Sequence, residues 1–428
     1  MLLADEQNLQ LAVSAESVDT VNAEFYGRFQ YPWRPMAFDC VTDPDFEAVM
    51  LNQSLGSWDN SMLPRQPKIW VAGCGTNQAV FTALRFPNAV VLGSDLSSTS
   101  LETARSTARM LGLTNLSLRQ ETLNQVNYNE EFDYVLCTGV IHHNADPKVP
   151  LGRLARALKP DGVLELMVYN RFHRTMPTAF QKAIRLFGGG SSKVDFESEL
   201  QIAQRIITGM SAQNEMARFL DYFKNCPESE LADVLLQPVE YTFTVESLEE
   251  LAQGCGLEMA APCINSFDQA RETYFWNMDF SDPPLQELYD SFTDTKRWRI
   301  TNCLMLDKSP MLWFYLRRSD AASPCKSEKQ LSDEFLAQKF VPSDARRIVF
   351  LGNGAGEYKL LSTQNPYPRK HPKEMCRDII ACVAARPEAT LREILTALKI
   401  ELSFSSVNKL RLWLTTNAFP FLRGAKEQ

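Results

Sequence analysis

Apolar runs alternate with helical patterns between residues 65 and 170. Period-2 or continuous apolar runs predict strands in PKIWVAGC, AVVLGSD, LSLRQET, FDYVLCTGVI and VLELMVYN. Between them, NQAVFTALRF, SLETARSTARMLG and LGRLARALKPDG repeat apolar residues at helical spacing. Strand–helix alternation predicts a parallel sheet, and right-handed crossovers place helices on both of its faces. The expected fold class is therefore α/β, with a doubly wound, Rossmann-like sheet.

The flanking regions have different patterns. Residues 1–64 are polar and then aromatic-rich, whereas 171–240 are helical and contain GGGSSK, which predicts a flexible joint. TVESLEELAQGCG predicts a capped helix, and LEMAAPCIN and RWRITNCLMLDKSPMLWFYLRR predict strands that close the sheet. We therefore predict an N-terminal arm (1–64), a sheet domain (65–318) with a helical insertion (171–240), and an accessory domain (319–428).

Composition narrows the class of protein. The 428 residues are 45% hydrophobic and 22% charged, which is enough apolar sequence for a sizeable core. The net charge of -8 argues against a main role in binding nucleic acid or an anionic membrane. No apolar run approaches the ~18 residues of a membrane span, and no basic segment with an apolar run opens the chain. The ten cysteines form no CxxC pair, so we expect reduced thiols, no metal and a cytoplasmic location.

A glycine pair follows the first strand of the predicted sheet. In WVAGCGTNQ, Gly73 and Gly75 separate a strand from a helix, which lets a ligand approach the backbone closely. A dinucleotide fingerprint would have a third glycine where Gln78 stands. Asp95 ends the second strand, where a carboxylate can accept hydrogen bonds from two ribose hydroxyls. Together these features favour a bound nucleoside; the alternative is an ordinary tight turn with Asp95 capping the next helix.

These motifs carry a family resemblance. The glycine loop, the acid-tipped second strand and GVIHHNADP after the fourth strand resemble class I S-adenosylmethionine-dependent methyltransferases. The chain is similar in particular to bacterial methyltransferase modules with an aromatic YP motif upstream and GVxHHxxDP downstream. The resemblance covers roughly residues 65–318.

The resemblance implies a cofactor and its binding residues. The cofactor would be S-adenosylmethionine, with S-adenosylhomocysteine as the product. Asp95 would hold the ribose, Leu96 would pack on adenine, and Glu121 would lie near the adenine amine. The glycine loop would contact the methionine and ribose portions, and the residues after the fourth strand would line the sulfonium side. The implied cofactor-binding residues are Gly73, Cys74, Gly75, Asp95, Leu96, Glu121, Cys137, Thr138 and Gly139.

Catalytic candidates lie beyond strands four and five. Methyl transfer is an in-line displacement, so polar groups near these strand ends could position the acceptor. His142 or His143 could orient or deprotonate it, or the pair could brace the loop. Tyr169 and Asn170 could hydrogen-bond an acceptor carbonyl or amide. Arg174 could pair with a carboxylate, or it could belong to a solvated helix start.

The aromatic N-terminal segment FYGRFQYPWRP is a candidate lid. Tyr26, Arg28 and Tyr31 would cover the cofactor pocket, exclude water and wall the acceptor site. The alternative is simple hydrophobic docking of the arm on the sheet edge.

The C-terminal region offers a second glycine-rich segment. RRIVFLGNGAGEY could suggest a nucleotide loop, but no acid-tipped strand follows, so a glycine-rich hairpin is the favoured prediction. EATLREILTALKI and SFSSVNKLRLWLTTNAF predict amphipathic helices that resemble a small winged-helix module. Contact with a protein partner is favoured over DNA binding, because acidic residues intersperse the basic ones.

These features together indicate a methyltransferase with a bulky acceptor, and a protein substrate is the leading expectation. The layout also resembles cyanobacterial phycobiliprotein asparagine methyltransferases, a family that N-methylates a side-chain amide. The alternatives are a small-molecule N- or O-methyltransferase, and a non-catalytic cofactor-binding scaffold or nucleic-acid-binding protein that uses its C-terminal domain. No membrane partner is expected.

Overall fold

A computed structural model describes most of the chain. The described residues are 15–188, 195–211, 213–354, 356–361, 365–366 and 372–425. From residue 189 onward, the joint predicted in GGGSSK lies outside these ranges.

Strands and helices alternate through the first two thirds of the chain. The strands are β1 (Ala37–Val41), β2 (Lys68–Ala72), β3 (Val90–Asp95), β4 (Leu116–Gln120), β5 (Phe132–Thr138), β6 (Leu158–Val168), β7 (Leu257–Pro262), β8 (Leu312–Arg318), β9 (Phe340–Pro342), β10 (Arg346–Gly352), β11 (Tyr358–Leu360), β12 (Asn365–Pro366), β13 (Phe419–Pro420) and β14 (Leu422–Gly424). The α-helices are α1 (Ala15–Arg28), α2 (Phe46–Ser54), α3 (Gln78–Arg85), α4 (Ser98–Met110), α5 (Lys148–Ala157), α6 (Thr175–Phe187), α7 (Phe196–Gly209), α8 (Glu215–Leu220), α9 (Glu228–Leu235), α10 (Val245–Gln253), α11 (Ser266–Arg271), α12 (Pro283–Asp290), α13 (Asp294–Met305), α14 (Glu328–Ala337), α15 (Glu374–Ala385), α16 (Leu391–Ala397) and α17 (Phe404–Thr415). Short 3₁₀ helices cover Ile141–His143, Asp221–Lys224 and Leu306–Lys308.

A seven-stranded sheet forms the centre of the molecule. Its order is β4-β3-β2-β5-β6-β8-β7, and only β8 runs antiparallel to its neighbours. The β2 strand is buried on both faces, with Ile69, Trp70, Val71 and Ala72 all fully enclosed, which is why it is continuously apolar. The predicted doubly wound α/β sheet is confirmed. The carboxyl ends of β2, β3 and β5 therefore meet at one edge.

One predicted strand is wrong. Asp294–Met305 is the helix α13, and only Leu312–Arg318 of that segment is a strand. The buried positions of α13 include Arg297, Trp298, Thr301 and Asn302, a spacing of three to four residues that belongs to one helix face. The aromatic and β-branched residues suggested a strand, but the helical period of the buried positions decides the structure.

The helical insertion is confirmed and packs on the N-terminal arm. The helices α6, α7 and α9 share one hydrophobic cluster with Phe25 and Phe29 of the arm, both of them buried. The arm and the insertion therefore form one layer beside the central sheet.

The N-terminal and C-terminal regions share a small sheet. β1 pairs antiparallel with β10, from Ala37 opposite Leu351 to Val41 opposite Arg347. β10 and β11 also pair antiparallel, so the glycine-rich hairpin prediction is confirmed. The two predicted amphipathic helices are α16 and α17, whereas the winged-helix assignment and the domain limits stay predictions.

A buried polar junction fixes the C-terminal helices to the sheet domain. Glu328, at the start of α14, is 1% exposed and accepts hydrogen bonds from Arg297, Trp298 and Asn408 at 3.2, 3.2 and 3.1 Å. Arg297 and Trp298 lie on α13 and Asn408 lies on α17, so the junction joins α14 to two other helices. Within the described ranges, no helix is both long and apolar enough to span a bilayer.

Candidate active site

The glycine loop connects β2 to α3 in a conformation that side chains rarely adopt. Gly73 and Gly75 have φ of +70° and +53°. A Cβ at Gly73 would lie 2.5 Å from Val140 Cγ2, and one at Gly75 would lie 2.9 Å from Pro32 Cδ. The amides of Gly73 and Cys74 donate to the Ser94 carbonyl at 2.8 and 2.9 Å. The loop is therefore held against the end of β3, and Val140 and Pro32 pack where side chains at Gly73 and Gly75 would lie.

Asp95 ends β3 directly beside this loop. Its two carboxylate oxygens accept backbone hydrogen bonds from Gly75 and Ser97, both at 2.8 Å. Burial raises the pKa of Asp95, and these hydrogen bonds oppose that shift. Each oxygen keeps a free lone pair, so the carboxylate can still accept from neighbouring sugar hydroxyls. The N-cap of α4 is Ser97 and not Asp95, so the helix-capping alternative for Asp95 is wrong.

The remaining predicted cofactor residues line the same sheet edge. Leu96 is half-buried, and its carbonyl accepts from the Gln120 amide at 3.0 Å. Glu121 accepts from the Tyr128 hydroxyl at 2.7 Å. Thr138 ends β5 and Gly139 follows it, and both are half-buried. Thr138 Oγ1 accepts a hydrogen bond from the Gln78 amide, at the start of α3, at 2.5 Å.

The predicted thiols contribute no exposed surface. Cys74 and Cys137 are buried, and burial raises the pKa of both thiols above the ordinary value. They belong to the two hydrophobic clusters on either face of the sheet. Only their backbones can face a ligand.

The aromatic arm is seated on the glycine loop. Thr76 Oγ1 donates to the Pro32 carbonyl, and the Asn77 amide donates to the Trp33 carbonyl at 3.2 Å. The Tyr31 carbonyl would lie 3.0 Å from a Cβ at Gly75. The arm therefore covers the loop at the point where a nucleoside would lie, and its lid function stays a prediction.

The arm is tied to the insertion as well. Arg28 is exposed and pairs with Glu228, at the start of α9, at 2.7 Å. The Tyr26 hydroxyl accepts from the Gln237 amide at 2.8 Å.

The insertion adds a carboxylate that sequence reasoning missed. Asp233 on α9 is 7% exposed, and one of its oxygens accepts a 3.3 Å hydrogen bond from Gln237. Its other oxygen accepts no hydrogen bond from any residue that the structure describes. Burial is the main cause that raises the pKa of Tyr26, Tyr31 and Tyr169, and the negative charge of Asp233 is the second cause for all three. The carboxylate therefore lies among the aromatic groups of the arm and of the β6 end.

Asp233 itself titrates near neutrality. Burial raises its pKa to about 7, and the nearby Arg174 guanidinium limits that rise. The signal in the sequence is an aspartate on the buried face of an amphipathic helix, beside Leu231, Ala232 and Leu235. No motif marks it, because its neighbours come from distant parts of the chain.

Arg174 forms a buried ion pair instead of a solvated helix start. Its Nε donates to Glu240 Oε1 at 2.7 Å, and its Nη2 donates to the Val234 carbonyl at 2.8 Å. The guanidinium carbon lies 4.4 Å from the centre of the Tyr169 ring. The solvated alternative is wrong, since Arg174 is buried, and its pairing with an acceptor carboxylate stays a prediction.

The histidine pair lies behind Tyr169. His142 is fully buried, its ring centroid lies 3.9 Å from that of Tyr169, and neither ring nitrogen has a hydrogen-bond partner in the described part of the chain. His143 Nδ1 is 2.8 Å from the Val239 carbonyl, and its Nε2 has no hydrogen-bond partner within the described ranges. Burial lowers the pKa of His142 far below its usual value and that of His143 to about 4. Both rings are therefore neutral at pH 7, and their catalytic role stays a prediction.

Tyr169 and Asn170 differ in their availability. Tyr169 is half-buried and its hydroxyl has no hydrogen-bond partner among the described residues. The Asn170 amide is buried and donates to Ser309 Oγ and the Pro310 carbonyl at 2.9 and 3.2 Å. Asn170 braces the end of β6 against the β8 side, so these contacts give its predicted catalytic role no support.

Comparisons with known proteins agree with this geometry. A family model described as a methyltransferase domain matches residues 72–214. An uncharacterised protein of Synechococcus sp. is 28% identical over 68% of this chain and 70% of its own length. The ubiquinone biosynthesis O-methyltransferase of Haemophilus ducreyi is 34% identical over 110 residues. This aligned segment is 24% of this chain and 46% of that relative.

The fold is also similar to that of a solved structure over most of the chain. PKMT2 from Rickettsia typhi has a TM-score of 0.55 and 14% identity, covering 92% of this chain and 77% of that protein. The same protein in complex with AdoHcy gives a TM-score of 0.55 at 13% identity, over 86% of this chain and 74% of that protein. The similarity therefore extends beyond the central sheet to the flanking regions.

Proposed function

Because the chain carries a class I S-adenosylmethionine-dependent methyltransferase domain, we propose that it methylates a bulky, protein-borne acceptor at the edge where Asp95 and Asp233 lie. The observation that carries the proposal is Asp233. One oxygen of this buried carboxylate accepts no hydrogen bond from the residues that the structure describes, and its pKa is about 7, among the tyrosines of the arm and of β6. A perturbed acid at such a place is a candidate proton acceptor.

The residues present fit the cofactor. Gly73 and Gly75 adopt positive φ and present no side chain of their own at the end of β2, and Asp95 keeps lone pairs for sugar hydroxyls. When bound, S-adenosylmethionine supplies an electrophilic methyl group on a sulfonium sulfur. Thr138 and Gly139 are half-buried at the adjacent strand end, where they would line the reacting side.

Asp233 is better suited than the histidine pair to take a proton from the acceptor. Both nitrogens of His142 are enclosed, so an acceptor group could reach them only after the Tyr169 ring had moved. Asp233 has an oxygen that no described residue hydrogen-bonds and a pKa near the operating pH, where a general base is most effective. In the proposed mechanism, Asp233 accepts the proton of an attacking nitrogen or oxygen. The Tyr169 hydroxyl donates a hydrogen bond to the same methyl acceptor, and the arm excludes water.

Exposed apolar groups on the arm support a bulky acceptor. Trp33 is 51% exposed and Met36 is 71% exposed, although the neighbouring Phe29 and Phe38 are buried. Aromatic residues and methionine are enriched where proteins meet other proteins. In the most specific form of this proposal, the methyl acceptor is an asparagine side-chain amide of a phycobiliprotein. That amide is a weak nucleophile, and proton removal by Asp233 would assist it.

The test is to incubate the protein and its Asp233→Asn variant with methyl-labelled cofactor in a cell extract. We expect the label on a protein with the native chain but not with Asp233→Asn, and peptide mass spectrometry then identifies the methylated atom. Asp221→Asn is a matched control, because Asp221 lies in the same insertion but is exposed and pairs with Lys224. Label that stays in small molecules would refute the protein acceptor.

Methylation of a small molecule is the second candidate. The supporting observation is the 34% identity to a ubiquinone biosynthesis O-methyltransferase over 110 residues of the chain. The same extract experiment separates the two candidates, since a small acceptor passes an ultrafiltration membrane with its label.

A further inference from the structure

One stretch of the arm, the strap (residues 29–36), is held at both ends and passes over the glycine loop in between. Its first residue, Phe29, is buried in the hydrophobic cluster of the insertion. Its last residue, Met36, directly precedes β1, which pairs with β10 of the C-terminal region. Between these ends, the Pro32 carbonyl accepts a hydrogen bond from Thr76 Oγ1 of the glycine loop. The position of the strap on the loop therefore depends on both attachments.

The C-terminal attachment is the glycine-rich hairpin formed by β10 and β11. The Tyr358 hydroxyl, on β11, donates to the Pro35 carbonyl at 2.9 Å. The Gly352 amide, at the end of β10, donates to the Met36 carbonyl at 2.8 Å. The Tyr358 ring also packs on the buried Phe38 of β1, with 4.8 Å between the ring centroids. Two consecutive carbonyls of the strap are therefore bound by this one hairpin.

The glycines of the hairpin make these contacts possible. Gly352 pairs with Tyr358 across the two strands, and a Cβ at Gly352 would lie 2.9 Å from Tyr358 Cε1. The tyrosine ring therefore lies over the backbone of β10 at a position where a glycine leaves room for it. Gly356 is buried at a φ of +92°, which side chains rarely adopt, and a Cβ there would overlap the Arg34 guanidinium. Each of these glycines thus accommodates a side chain that belongs to the strap or holds it.

Neither a nucleotide nor the turn alone accounts for these two glycines. A phosphate-binding loop presents free backbone amides to its ligand, whereas the Gly352 amide is bonded to Met36 and Gly356 is covered by Arg34. Gly354 is the contrasting case, because its φ of +78° serves the turn. Beyond its chain neighbours, no atom of the described residues lies within 4 Å of a Cβ placed there.

We propose that the hairpin is a clamp that holds the strap on the glycine loop, so that the C-terminal region controls the release of the bound cofactor. Tyr358 and Gly356 are its positioning residues: they act on the cofactor through the strap and do not touch it. A ligand beneath a cover leaves only when the cover opens, and each contact that holds the cover slows that opening. This role concerns the cofactor, so it is independent of which acceptor the enzyme methylates.

The test measures the release of S-adenosylhomocysteine from the full chain by stopped-flow displacement, beside the urea stability of the ligand-free protein. Tyr358→Phe removes the hydroxyl that holds Pro35 but keeps the ring, so the release rate should rise about three- to tenfold, as expected for one hydrogen bond. Tyr289→Phe is the control, because its hydroxyl bonds Thr301 of α13 at 2.8 Å. It should lower the stability and leave the release rate unchanged.

A pair of glycine variants separates the clamp from simple backbone strain. Gly356→Ala and Gly354→Ala both place a side chain at positive φ, so both should lower the stability. Only Gly356→Ala displaces Arg34, and it should speed release roughly two- to threefold, since packing and no hydrogen bond is lost. In an Arg34→Ala background, Gly356→Ala should change the release rate no further.

Two results would overturn the proposal: native release from Tyr358→Phe, or equal release rates from the two glycine variants. Thr76→Val loosens the strap at the glycine loop itself and thus shows which part has failed. Faster release from Thr76→Val, together with native release from Tyr358→Phe, would mean that the strap retains the cofactor without the hairpin.

Discussion

The two halves of the candidate active site are built from different material. On the cofactor side, the ligand surface is backbone: two glycines at positive φ, and an aspartate held by two amide donors. On the acceptor side, the surface is made of side chains from distant segments, with Asp233 and Glu240 of the insertion facing Tyr169 and Arg174. The first half is rigid because of local geometry, and the second because of packing.

This difference determines what each half can tolerate. A backbone site loses its shape when one glycine gains a side chain, since no other rotamer can relieve the clash. In a site of buried charges, desolvation instead destabilises the folded protein, and this cost disappears when a charged residue is replaced by a neutral one. The following substitutions separate these two behaviours.

The largest effect is expected on the acceptor side. Asp233→Asn removes the proposed proton acceptor, so kcat should fall about 100- to 10,000-fold, while the dissociation constant of the cofactor stays unchanged. In the native enzyme, kcat/KM should rise with pH up to about 7, as Asp233 loses its proton, and then level off. The pH–rate profile and calorimetry with S-adenosylhomocysteine measure both quantities. A variant that keeps native turnover would exclude Asp233 as the base.

The same substitution should make the protein more stable. The pKa of Asp233 is raised from 3.8 to about 7 on folding, so the folded state binds more protons between these values. Its contribution to stability is therefore present at low pH and is lost as the pH rises from about 4 to 7. Asp233→Asn should raise the free energy of unfolding at pH 8 by on the order of a few kcal/mol, measured by urea denaturation, with no gain at pH 4. A destabilised variant would point to a structural role.

The next largest effect is expected on the cofactor side. Asp95→Ala removes the carboxylate that would hold the ribose and leaves the Gly75 amide without its acceptor. The dissociation constant of S-adenosylhomocysteine should rise roughly 100-fold, the equivalent of two charge-assisted hydrogen bonds. Asp320→Ala is the control, because Asp320 is exposed and remote from the sheet edge. Unchanged cofactor binding by Asp95→Ala would disprove the assigned cofactor site.

The cofactor half could be predicted from the sequence because its determinants are adjacent in the chain. The Gly73–Gly75 turn follows one strand directly, and Asp95 ends the next, so periodicity and turn residues place both. Asp233 could not be predicted in the same way, because the arginine and the tyrosines around it, Arg174, Tyr169, Tyr26 and Tyr31, lie more than 50 positions away in the chain. The segment of α13 shows a further limit: its aromatic and β-branched residues favour a strand, while the tertiary contacts of Arg297 and Trp298 select a helix.

A smaller effect should follow from loosening the arm, which joins the two halves. Thr76→Val removes the hydroxyl that donates to the Pro32 carbonyl but keeps the side-chain shape. The loss of one buried hydrogen bond should raise the dissociation constant of S-adenosylhomocysteine about three- to tenfold, through faster release in stopped-flow experiments. Thr396→Val, in which an exposed hydroxyl bonded within α16 is lost, serves as the control. Native release rates in Thr76→Val would mean that the arm does not retain the cofactor.

The smallest effect is expected at the histidine pair, although it stands between the two halves. His142→Leu keeps a similar volume against Tyr169 and removes two buried nitrogens that have no partner. Turnover should change by less than about threefold, since no acceptor group reaches an enclosed imidazole that makes no hydrogen bond. Stability should be equal or slightly higher, because an unsatisfied buried polar group is replaced by an apolar one. A loss of turnover near 100-fold, with native cofactor binding, would instead show that Tyr169 moves aside and exposes His142, and the base would then lie on the sheet side of the site rather than on the insertion.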